Sequence, residues 1–368
     1  MKIYLPENVL EAARKRIRRI FAEFDTVVVN FSGGKDSTVV LNLALEAAEE
    51  LGRLPLHVLW LDQEAEWESV VSYVRSVMAD PRVTPLWFQG PFRIFNATSG
   101  ADPWLWCWRE GCEKDWIHPK DPLAIHENPT GVDRFAELFE AVVAHYLPGK
   151  RVAHLAGVRT DESPARLRGL TSYATYKDIT WGSKKGEKLG QWTFHPLYDW
   201  TYIDVWKAIH QHGWRYCHLY DLMYQYGVPV RGMRVSNVHH ETAVKVLGFM
   251  QELEPVTWSR VTERLAGVNA ANHHNEFYAA PREVPPMFTS WRDYRDHLMA
   301  NLVEDPVLRE KFRASFDRWE ANFDASIVER VMRAQVGALV VNDHEGTKFA
   351  TFCAANGKHL RGRGKRAK

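Results

Sequence analysis

Cysteine is scarce in this chain, which has only four among its 368 residues. Such sparse usage excludes a disulfide-based scaffold and is typical of a reduced, cytoplasmic protein. The Cys-x-x-Cys pairs of structural zinc sites do not occur either. We therefore predict a cytoplasmic protein without structural disulfides.

Excess charge of one sign is missing too, because 47 Lys and Arg residues face 46 Asp and Glu residues and the formal net charge is +1. This balance produces no overall field that would favour a nucleic acid or a membrane surface as the main partner. No apolar run approaches the ~20 residues that a membrane span requires, and we expect no signal peptide. A membrane protein is therefore not expected.

The most informative segment that is present is SGGKDS at 32–37. It follows an apolar run that predicts a strand and precedes an apolar stretch at 38–51 that predicts a helix. A glycine turn at a helix N-terminus exposes backbone N–H groups that lack helical partners, and the helix dipole adds positive charge there. Lys35 adds a full charge, and the two serines add hydroxyl groups. The segment therefore predicts a phosphate-binding site.

The spacing in SGGKDS excludes a Walker A loop, which has four residues between its first glycine and Gly-Lys-Ser/Thr. The segment instead resembles the PP-loop of the adenine-nucleotide α-hydrolase superfamily. Members of that superfamily include N-type ATP pyrophosphatases, tRNA thiolation enzymes and phosphoadenylylsulfate (PAPS) reductases. The alternative, a glycine turn without a function, does not account for a lysine and two serines in one turn.

Strands and helices alternate along the first half of the chain. The predicted strands are 26–31, 56–61, 83–88 and 152–157. The alternation favours an α/β fold with helices on both faces of a parallel sheet, followed by a mostly helical C-terminal region. Ligands of such sheets bind beyond the carboxyl ends of the strands, where the 32–37 turn and Asp62 both fall. We therefore predict that Asp62 accepts from ribose hydroxyls or holds a metal, with helix capping as the alternative.

A long irregular stretch at 90–130 carries several tryptophans. Loops of more than about 15 residues are uncommon without a function, so this stretch is a candidate substrate-binding lid. Cys107 and Cys112 lie in it and are followed by His118 and His126. That set permits a metal site, but its spacing differs from that of typical zinc sites, so packed thiols are the favoured interpretation.

A basic segment, GVRTDESPARLRG, follows the predicted fourth strand directly. Arg159 lies close enough to the strand end for its guanidinium to reach the crevice of the 32–37 turn. Arg166 and Arg168 add further donors, and guanidinium groups suit phosphate or sulfate through paired hydrogen bonds. The three arginines are therefore candidate anion contacts, and the alternative is an ordinary run of surface charge.

Four segments occur in the order found in the PAPS reductase branch of the PP-loop superfamily. They are SGGKDS, LWLD, AGVRTDESPAR and HPLYDWTYIDVW, and they cover roughly 25–212. The third and fourth segments distinguish this branch from other PP-loop families. The resemblance implies a pocket in which the turn binds the phosphates and Asp62 lies near the nucleoside. The implied nucleotide-binding residues are Ser32, Gly33, Gly34, Lys35, Asp36, Ser37, Asp62, Gly157 and Arg159.

The second half of the chain resembles a smaller subgroup, the immunoglobulin-binding-regulator A type proteins, which occur in phage and other mobile elements. This resemblance is carried by LYDLMYQYGVPVRGMRVSN at 219–237 and ELEPVTWSRVTERLAGVNA at 252–270. The match therefore extends over most of the chain.

The thiol chemistry of a PAPS reductase is where this sequence departs from the family. Those enzymes attack the sulfonucleotide with a cysteine thiolate in a Glu-Cys-Gly-x-His setting near the C-terminus. Here the only late cysteine is Cys353, with Gly357 and His359 at a different spacing, and the paired cysteines of the iron–sulfur type are absent. We therefore expect the fold and the pocket of the family, with Cys353 as the one candidate thiol for reduction.

The favoured activity is that of an ATP α-hydrolase, which cleaves between the α and β phosphates and adenylates an acceptor. The turn holds the departing pyrophosphate, Mg²⁺ spreads its charge, and Lys35 and Arg159 stabilise the transition state. The candidates for a general base are His154, His195, Asp161 and Glu162. Two alternatives stay open: PAPS or adenylylsulfate reduction by Cys353, and a regulatory protein that binds an adenine nucleotide without turnover.

These patterns divide the chain into four segments. They are an amphipathic N-terminal helix at 1–24, a nucleotide-binding domain at 25–215, a mostly helical domain at 216–345 and a basic tail at 346–368. The basic residues of the first helix favour a solvated face over contact with nucleic acid. The last eleven residues include six Lys or Arg, a composition that binds nucleic acid nonspecifically or solubilises the protein. The predicted partners are an adenine nucleotide, an acceptor substrate and, through the tail, nucleic acid.

Overall fold

The computed structural model describes residues 5–99, 104–171, 174–235, 238–239, 244–268, 283–341, 343 and 345–360. The chain forms two compact units. The first unit comprises Met1–Arg93 and Trp106–Asn237, and the second comprises Ile94–Leu105 and Val238–Lys368. Each unit is therefore built from two separate segments of the chain.

The strands confirm the predicted α/β fold. They are β1 (Thr26–Asn30), β2 (Leu56–Leu61), β3 (Val83–Phe88), β4 (Phe92–Phe95), β5 (Trp104–Cys107), β6 (Val152–Ala156), β7 (Gly182–Ser183) and β8 (Gln191–Phe194). Six of them form one sheet in the order β3-β2-β1-β6-β8-β7, and β4 pairs with β5 in a separate sheet. All neighbours in the large sheet run parallel except β7 and β8. Successive residues of β1 are buried, so both faces of the sheet centre are covered.

Seven α-helices are described in the first unit. They are α1 (Val9–Glu23), α2 (Lys35–Glu50), α3 (Glu68–Met78), α4 (Phe135–Tyr146), α5 (Pro164–Thr171), α6 (Tyr202–His212) and α7 (Leu219–Gln225). The predicted amphipathic first helix is present as α1, and its buried face includes Ala13, Ile17 and Ile20.

The arginines of α1 are paired with carboxylates of the same unit. The pairs are Arg14 with Glu46 (3.0 Å), Arg16 with Asp199 (2.6 Å), Arg18 with Glu50 (2.8 Å) and Arg19 with Asp178 (2.5 Å). Two of these partners lie on α2, so the pairs tie α1 to its neighbouring helix. The basic side chains of α1 are partly or fully exposed, as predicted for a solvated face, and they also form intramolecular ion pairs.

Helix α7 belongs to the first unit, although the sequence placed it in a helical domain that begins at 216. Its residues Leu219, Tyr220 and Met223 are buried, and the hydroxyl of Tyr220 accepts a hydrogen bond from the backbone N–H of Lys35. The boundary at 215 is therefore too early, and the first unit ends at Asn237. Local patterns do not reveal a contact between residues so far apart in the chain.

The second unit is mostly helical, as predicted. Its described helices are α8 (Val244–Leu253), α9 (Pro255–Arg264), α10 (Trp291–Asn301), α11 (Pro306–Asn322), α12 (Val328–Val340) and α13 (Thr347–Ala355). Apolar side chains of the last four helices form one core cluster. Arg295 lies within this unit and bonds the side chains of Glu320 and Gln335, so its buried charge is paired.

Among the described residues, no helix is both long and apolar enough to cross a membrane. The predicted basic tail begins with α13, whereas its cationic end at 361–368 lies outside the described residues.

Candidate functional site

The turn between β1 and α2 depends on two glycines. Gly33 has a φ of 69°, and a Cβ there would also lie 2.9 Å from Val70 Cγ1. Only glycine fits such a position without strain. Gly34 is the N-cap of α2 and provides no side-chain cap. The first N–H groups of α2 are therefore left for other partners.

Hydrogen bonds between two serines hold this turn closed. Ser37 Oγ donates to the carbonyl of Gly34 at 2.9 Å and accepts from the backbone N–H of Ser32 at 3.2 Å. The two serine hydroxyl oxygens lie 3.1 Å apart. Hydrogen bonds to the backbone therefore fix the positions of both hydroxyl groups at the open end of the turn.

Two backbone N–H groups of the first turn of α2 remain available. The N–H of Lys35 donates to the hydroxyl of Tyr220 at 3.0 Å. The N–H groups of Asp36 and Ser37 have no partner among the described residues. Oriented, unpaired N–H groups at a helix N-terminus are suited to an anion.

Gly157 lets the end of β6 approach the turn. A Cβ at this position would lie 2.7 Å from Asp36 C, 2.8 Å from Ser37 N and 2.9 Å from Asp36 O. All three are backbone atoms, so no side-chain rotation relieves the contact. The sequence predicted Gly157 as a pocket residue, and the structure supplies this packing reason for a glycine.

Two buried cations share one carboxylate at the turn. Arg159 Nε donates to Asp36 Oδ1 at 2.5 Å, and Lys35 Nζ lies 3.1 Å from Asp36 Oδ2. The other guanidinium nitrogens of Arg159 lie 3.6 Å from Asp161 and 3.7 Å from Glu162. Arg159 Nη1 has no hydrogen-bond partner among the described residues. Both cations are therefore held in place by carboxylates, and Arg159 Nη1 keeps its hydrogen-bonding capacity.

A cavity of about 720 Å³ opens beside this turn, at the carboxyl ends of β1, β2 and β6. Seven of the nine predicted nucleotide-binding residues line it. The two that do not are Gly33 and Asp62. Phe135 and Phe139 of α4 add aromatic rings to its wall. Its place beyond the strand ends is the one expected for a parallel sheet.

Six cations line the cavity, and sequence analysis identified only half of them. They are Lys35, Arg159, Arg166, Lys185, Arg231 and Arg234. Arg166 pairs with Glu162, whereas Arg168 is exposed and does not line the cavity. Arg231 and Arg234 follow α7 within the segment at 219–237, whose resemblance to a subgroup did not assign them to the nucleotide site. Five carboxylates also line the cavity, those of Asp36, Glu66, Glu140, Asp161 and Glu162, so the six cations exceed them by only one.

Asp62 does not face the cavity, contrary to our expectation. Its carboxylate is 0% exposed and accepts from Trp87 Nε1 at 3.0 Å, Gln89 Nε2 at 2.8 Å and the N–H of Glu64 at 3.0 Å. These bonds fix the turn after β2. Sequence position gave no indication that its neighbours, rather than Asp62 itself, line the cavity.

His195 is the best placed of the four predicted general bases. Its Nδ1 lies 3.3 Å from the carbonyl oxygen of Ala156, which only accepts, so Nδ1 carries the proton and Nε2 can accept one. Burial lowers the pKa of His195 to about 4, so its ring is neutral at pH 7. Asp161 and Glu162 line the cavity but face arginines.

His154 has no place at this site. Its Nδ1 lies 3.0 Å from Asn30 Oδ1, and its Nε2 lies 2.8 Å from Gln191 Oε1. Both ring nitrogens are therefore engaged within the sheet, and the side chain does not line the cavity.

Three of the cysteines, Cys107, Cys217 and Cys353, are buried, whereas Cys112 is partly exposed. Cys107 is buried, and its Sγ donates to the carbonyl of Gln63 at 3.2 Å. A search of the described residues finds no group of three or more His, Cys, Asp and Glu that could hold a metal. Within the stretch at 90–130, Trp108 is fully buried, and no described residue of that stretch lines the cavity. A lid function for it remains a prediction.

Cys353 lies in the apolar core of the second unit and is 0% exposed. Burial raises its pKa to about 11, so the thiol keeps its proton at neutral pH. A protonated, buried thiol lacks the nucleophilicity that sulfonucleotide reduction requires.

Two family models match consecutive parts of the chain. One, described as the phosphoadenosine phosphosulfate reductase domain, matches residues 26–226, which is more than half of the chain. The other, described as a domain of unknown function (DUF3440), matches residues 227–351.

Relatives in other organisms match to different extents. The chain is 31% identical to Escherichia coli K12 YbdN, an uncharacterized protein, over 322 residues that cover 82% of this chain and 77% of YbdN. It is 23% identical to sulfate adenylyltransferase subunit 2 of Shewanella pealeana, with 55% of this chain and 63% of that protein covered.

Among solved structures, a Candida auris phosphoadenylyl-sulfate reductase in its phosphate complex is 16% identical with a TM-score of 0.33. The match covers 60% of this chain and 94% of that one. A Candida glabrata FMN adenylyltransferase is 14% identical with a TM-score of 0.36, covering 60% and 64% of the two chains. Both TM-scores are below 0.5, so neither structure bears on the function of this chain.

Proposed function

The chain belongs to the phosphoadenosine phosphosulfate reductase domain family, and from that premise we propose that its cavity binds an adenine nucleotide with the phosphates on the 32–37 turn. One observation carries the proposal. The free N–H groups of Asp36 and Ser37 and the charges of Lys35 and Arg159 meet at the carboxyl end of β1. Helix N-terminal N–H groups next to buried cations form the arrangement that binds phosphate.

We propose ATP as the nucleotide and adenylyl transfer as the reaction. A nucleophilic oxygen of the acceptor attacks the α phosphorus, and the bond from that phosphorus to the oxygen bridging to the β phosphate breaks. Pyrophosphate leaves with the bonding electron pair, and a proton on the acceptor passes to a base. The resemblance to a protein named sulfate adenylyltransferase subunit 2 supports transfer of this class.

Lys35 and Arg159 stabilise the charge of the phosphates in this reaction. Both are buried, so water screens their interactions weakly. Both cations pair with Asp36 in this structure, so they are already oriented. A bound phosphate would replace Asp36 as their partner. His195 is the proposed proton acceptor, since its ring is neutral and lines the cavity.

A magnesium ion fits the carboxylates of this cavity. Mg²⁺ is usually held by one or two carboxylates together with substrate phosphates, and it needs no site made by protein alone. Asp36 and Asp161 line the cavity next to the turn and would hold it. When bound, it neutralises the charge that develops on the leaving pyrophosphate.

We also propose that the chain falls in the immunoglobulin-binding-regulator A type subgroup. This assignment rests on the resemblance of the segments at 219–237 and 252–270. Nucleic-acid binding by the tail at 358–368 remains a proposal that rests on its charge. Reduction through Cys353 is not proposed, because its thiol is buried and protonated.

Product analysis tests the reaction. The purified protein is incubated with ATP, Mg²⁺ and a panel of oxyanion and carboxylate acceptors, and in parallel with PAPS and a thiol reductant, and products are identified by mass spectrometry. Pyrophosphate with AMP or an adenylated acceptor is the expected result. Formation of sulfite and adenosine bisphosphate from PAPS would contradict the assignment. If neither nucleotide is turned over, the result would contradict the proposed reaction and indicate a protein that binds the nucleotide without turnover.

A further inference from the structure

The turn after β2 is fixed by hydrogen bonds that leave two side chains at the cavity. The carboxylate of Asp62 accepts from Trp87 and Gln89, which lie on or directly after β3. Gln63 and Glu66 come next along the chain, and both line the cavity. Their backbone is therefore held rigidly while their side chains meet the cavity.

Both side chains carry a buried oxygen that lacks a hydrogen bond. Gln63 Oε1 and Glu66 Oε2 have no partner among the described residues, and the two residues are 6% and 2% exposed. Buried polar atoms are nearly always paired in folded proteins, so two such acceptors in one cavity wall require an explanation. A ligand that presents N–H groups to this wall supplies the missing partners.

This wall lies on the β2 side of the cavity, whereas Arg159 lies on the β6 side. Strand β2 is the neighbour of β1, so its carboxyl end lies about 5 Å from the start of the 32–37 turn. Arg159 follows β6, on the opposite side of β1. Helix α4 packs against β2 and brings Phe135 and Phe139 to the cavity. The cavity thus has a cationic side at β1 and β6 and a side with acceptors and aromatic rings at β2.

We propose that Gln63 and Glu66 bind the amino-bearing edge of the nucleobase and that Glu66 determines specificity for adenine. This inference rests on the proposed function, which places the phosphates on the turn. The exocyclic amino group of adenine supplies N–H donors for the unpaired oxygens, and the rings of α4 supply an apolar surface for the purine. Burial, together with the charge of Asp62, raises the pKa of Glu66, so its carboxyl can also donate to a ring nitrogen beside the amino group.

Two triphosphates that differ only at the amino group test this proposal. ATP and purine riboside 5′-triphosphate, each with Mg²⁺, are titrated by calorimetry into the wild-type protein, Glu66→Leu and Glu68→Ala. The wild type should bind ATP about tenfold more tightly, as expected for one hydrogen bond to a charged or strongly polar group. Glu66→Leu should lose most of the preference for ATP, because only Gln63 is left to accept from the amino group. Glu68 is exposed and does not line the cavity, so Glu68→Ala should keep the tenfold preference.

The melting temperature of the ligand-free variants separates this role from a structural one. An unpaired buried carboxyl costs stability, so Glu66→Leu should melt no lower than the wild type. Glu66→Gln keeps the shape and an acceptor oxygen and should retain the preference for ATP. An undiminished preference in Glu66→Leu, a lower melting temperature of that variant, or no preference in the wild type would overturn the inference. A wild type that binds neither triphosphate would instead contradict the proposed function.

Discussion

Substitution of Gly157 by alanine should weaken nucleotide binding about 100-fold without unfolding the protein. The added Cβ would lie 2.7 Å from the backbone carbon of Asp36 and 2.8 Å from the nitrogen of Ser37, whereas ordinary contact begins at 3.4 Å. The end of β6 and the turn must therefore separate by about 0.7 Å, since neither side is a rotatable side chain. Overpacking of this kind costs about 1–3 kcal/mol of folding free energy.

The same displacement acts on the two free N–H groups of the turn. A hydrogen bond of about 2.9 Å that lengthens by that amount lies outside the hydrogen-bonding range. Loss of two bonds to charged phosphate oxygens, each worth about 1.5 kcal/mol or more, lowers the affinity for ATP by about 100-fold. The expected loss of binding free energy is therefore at least as large as the expected cost to the fold.

Calorimetric titration with ATP and Mg²⁺, together with thermal unfolding, measures both quantities. Gly169→Ala is the matched control, because a Cβ on that residue of α5 meets no atom within 4 Å. The control should bind ATP like the wild type. Wild-type affinity in Gly157→Ala, or an equal loss in the control, would refute the packing argument for the turn.

Three further predictions concern charge and protonation. Arg159→Lys should lower ATP turnover at least tenfold, because lysine lacks the forked guanidinium group that spans Asp36 and Glu162. The melting temperature should stay unchanged. Turnover at the wild-type rate would contradict this prediction. Iodoacetamide should alkylate Cys353 only after the protein is unfolded in urea, because burial raises the pKa of this thiol to about 11. Cys353→Ser should retain the ATP chemistry. Rapid alkylation of the native protein would contradict the burial of this thiol. Burial lowers the pKa of His154 from 6.5 to about 4, so its contribution to stability is present above pH 6.5 and is lost as the pH falls towards 4, by up to about 3 kcal/mol. His154→Gln should reduce the fall in the melting temperature over that pH range, and the remaining fall should come from His195, whose pKa burial also lowers to about 4. An unchanged pH profile would show that His154 is not responsible.

Local sequence patterns were sufficient to predict the secondary structure where one short segment determines it. The apolar run before SGGKDS and the helical pattern after it predicted the strand, the turn and the helix that form the phosphate-binding end of the cavity. The start of α6 is likewise determined locally, because Thr201 forms a capping box with Asp204 three residues later. In such cases the residues that determine the conformation are neighbours along the chain.

Sites that join distant segments were not predictable in this way. Arg231 and Arg234 reach the cavity only because α7 packs in the first unit, where Tyr220 bonds to the turn. We expected the carboxylate of Asp62 to face the ligand site, but it lies inside the protein, where Trp87 and Gln89 donate hydrogen bonds to it. Periodicity and motifs carry no information on which of several adjacent polar residues turns inward.

The sequence also gave no indication that Ile94–Leu105 belongs to the second unit. The segment begins in β4 and ends in β5, two short strands that pair with each other. Its irregular composition suggested only a long loop, since four-residue strands have too few positions for a clear alternation of apolar and polar residues.

The central claim is that the cavity beside the 32–37 turn binds an adenine nucleotide through its phosphates. Calorimetric titration of the wild type and of Lys35→Ala with ATP and Mg²⁺ tests it most directly, with the exposed Lys188→Ala as the control. Saturable binding at one site per chain, lost in Lys35→Ala and retained in the control, is the predicted result. Equal affinity in all three proteins, or no binding to the wild type, would contradict the claim.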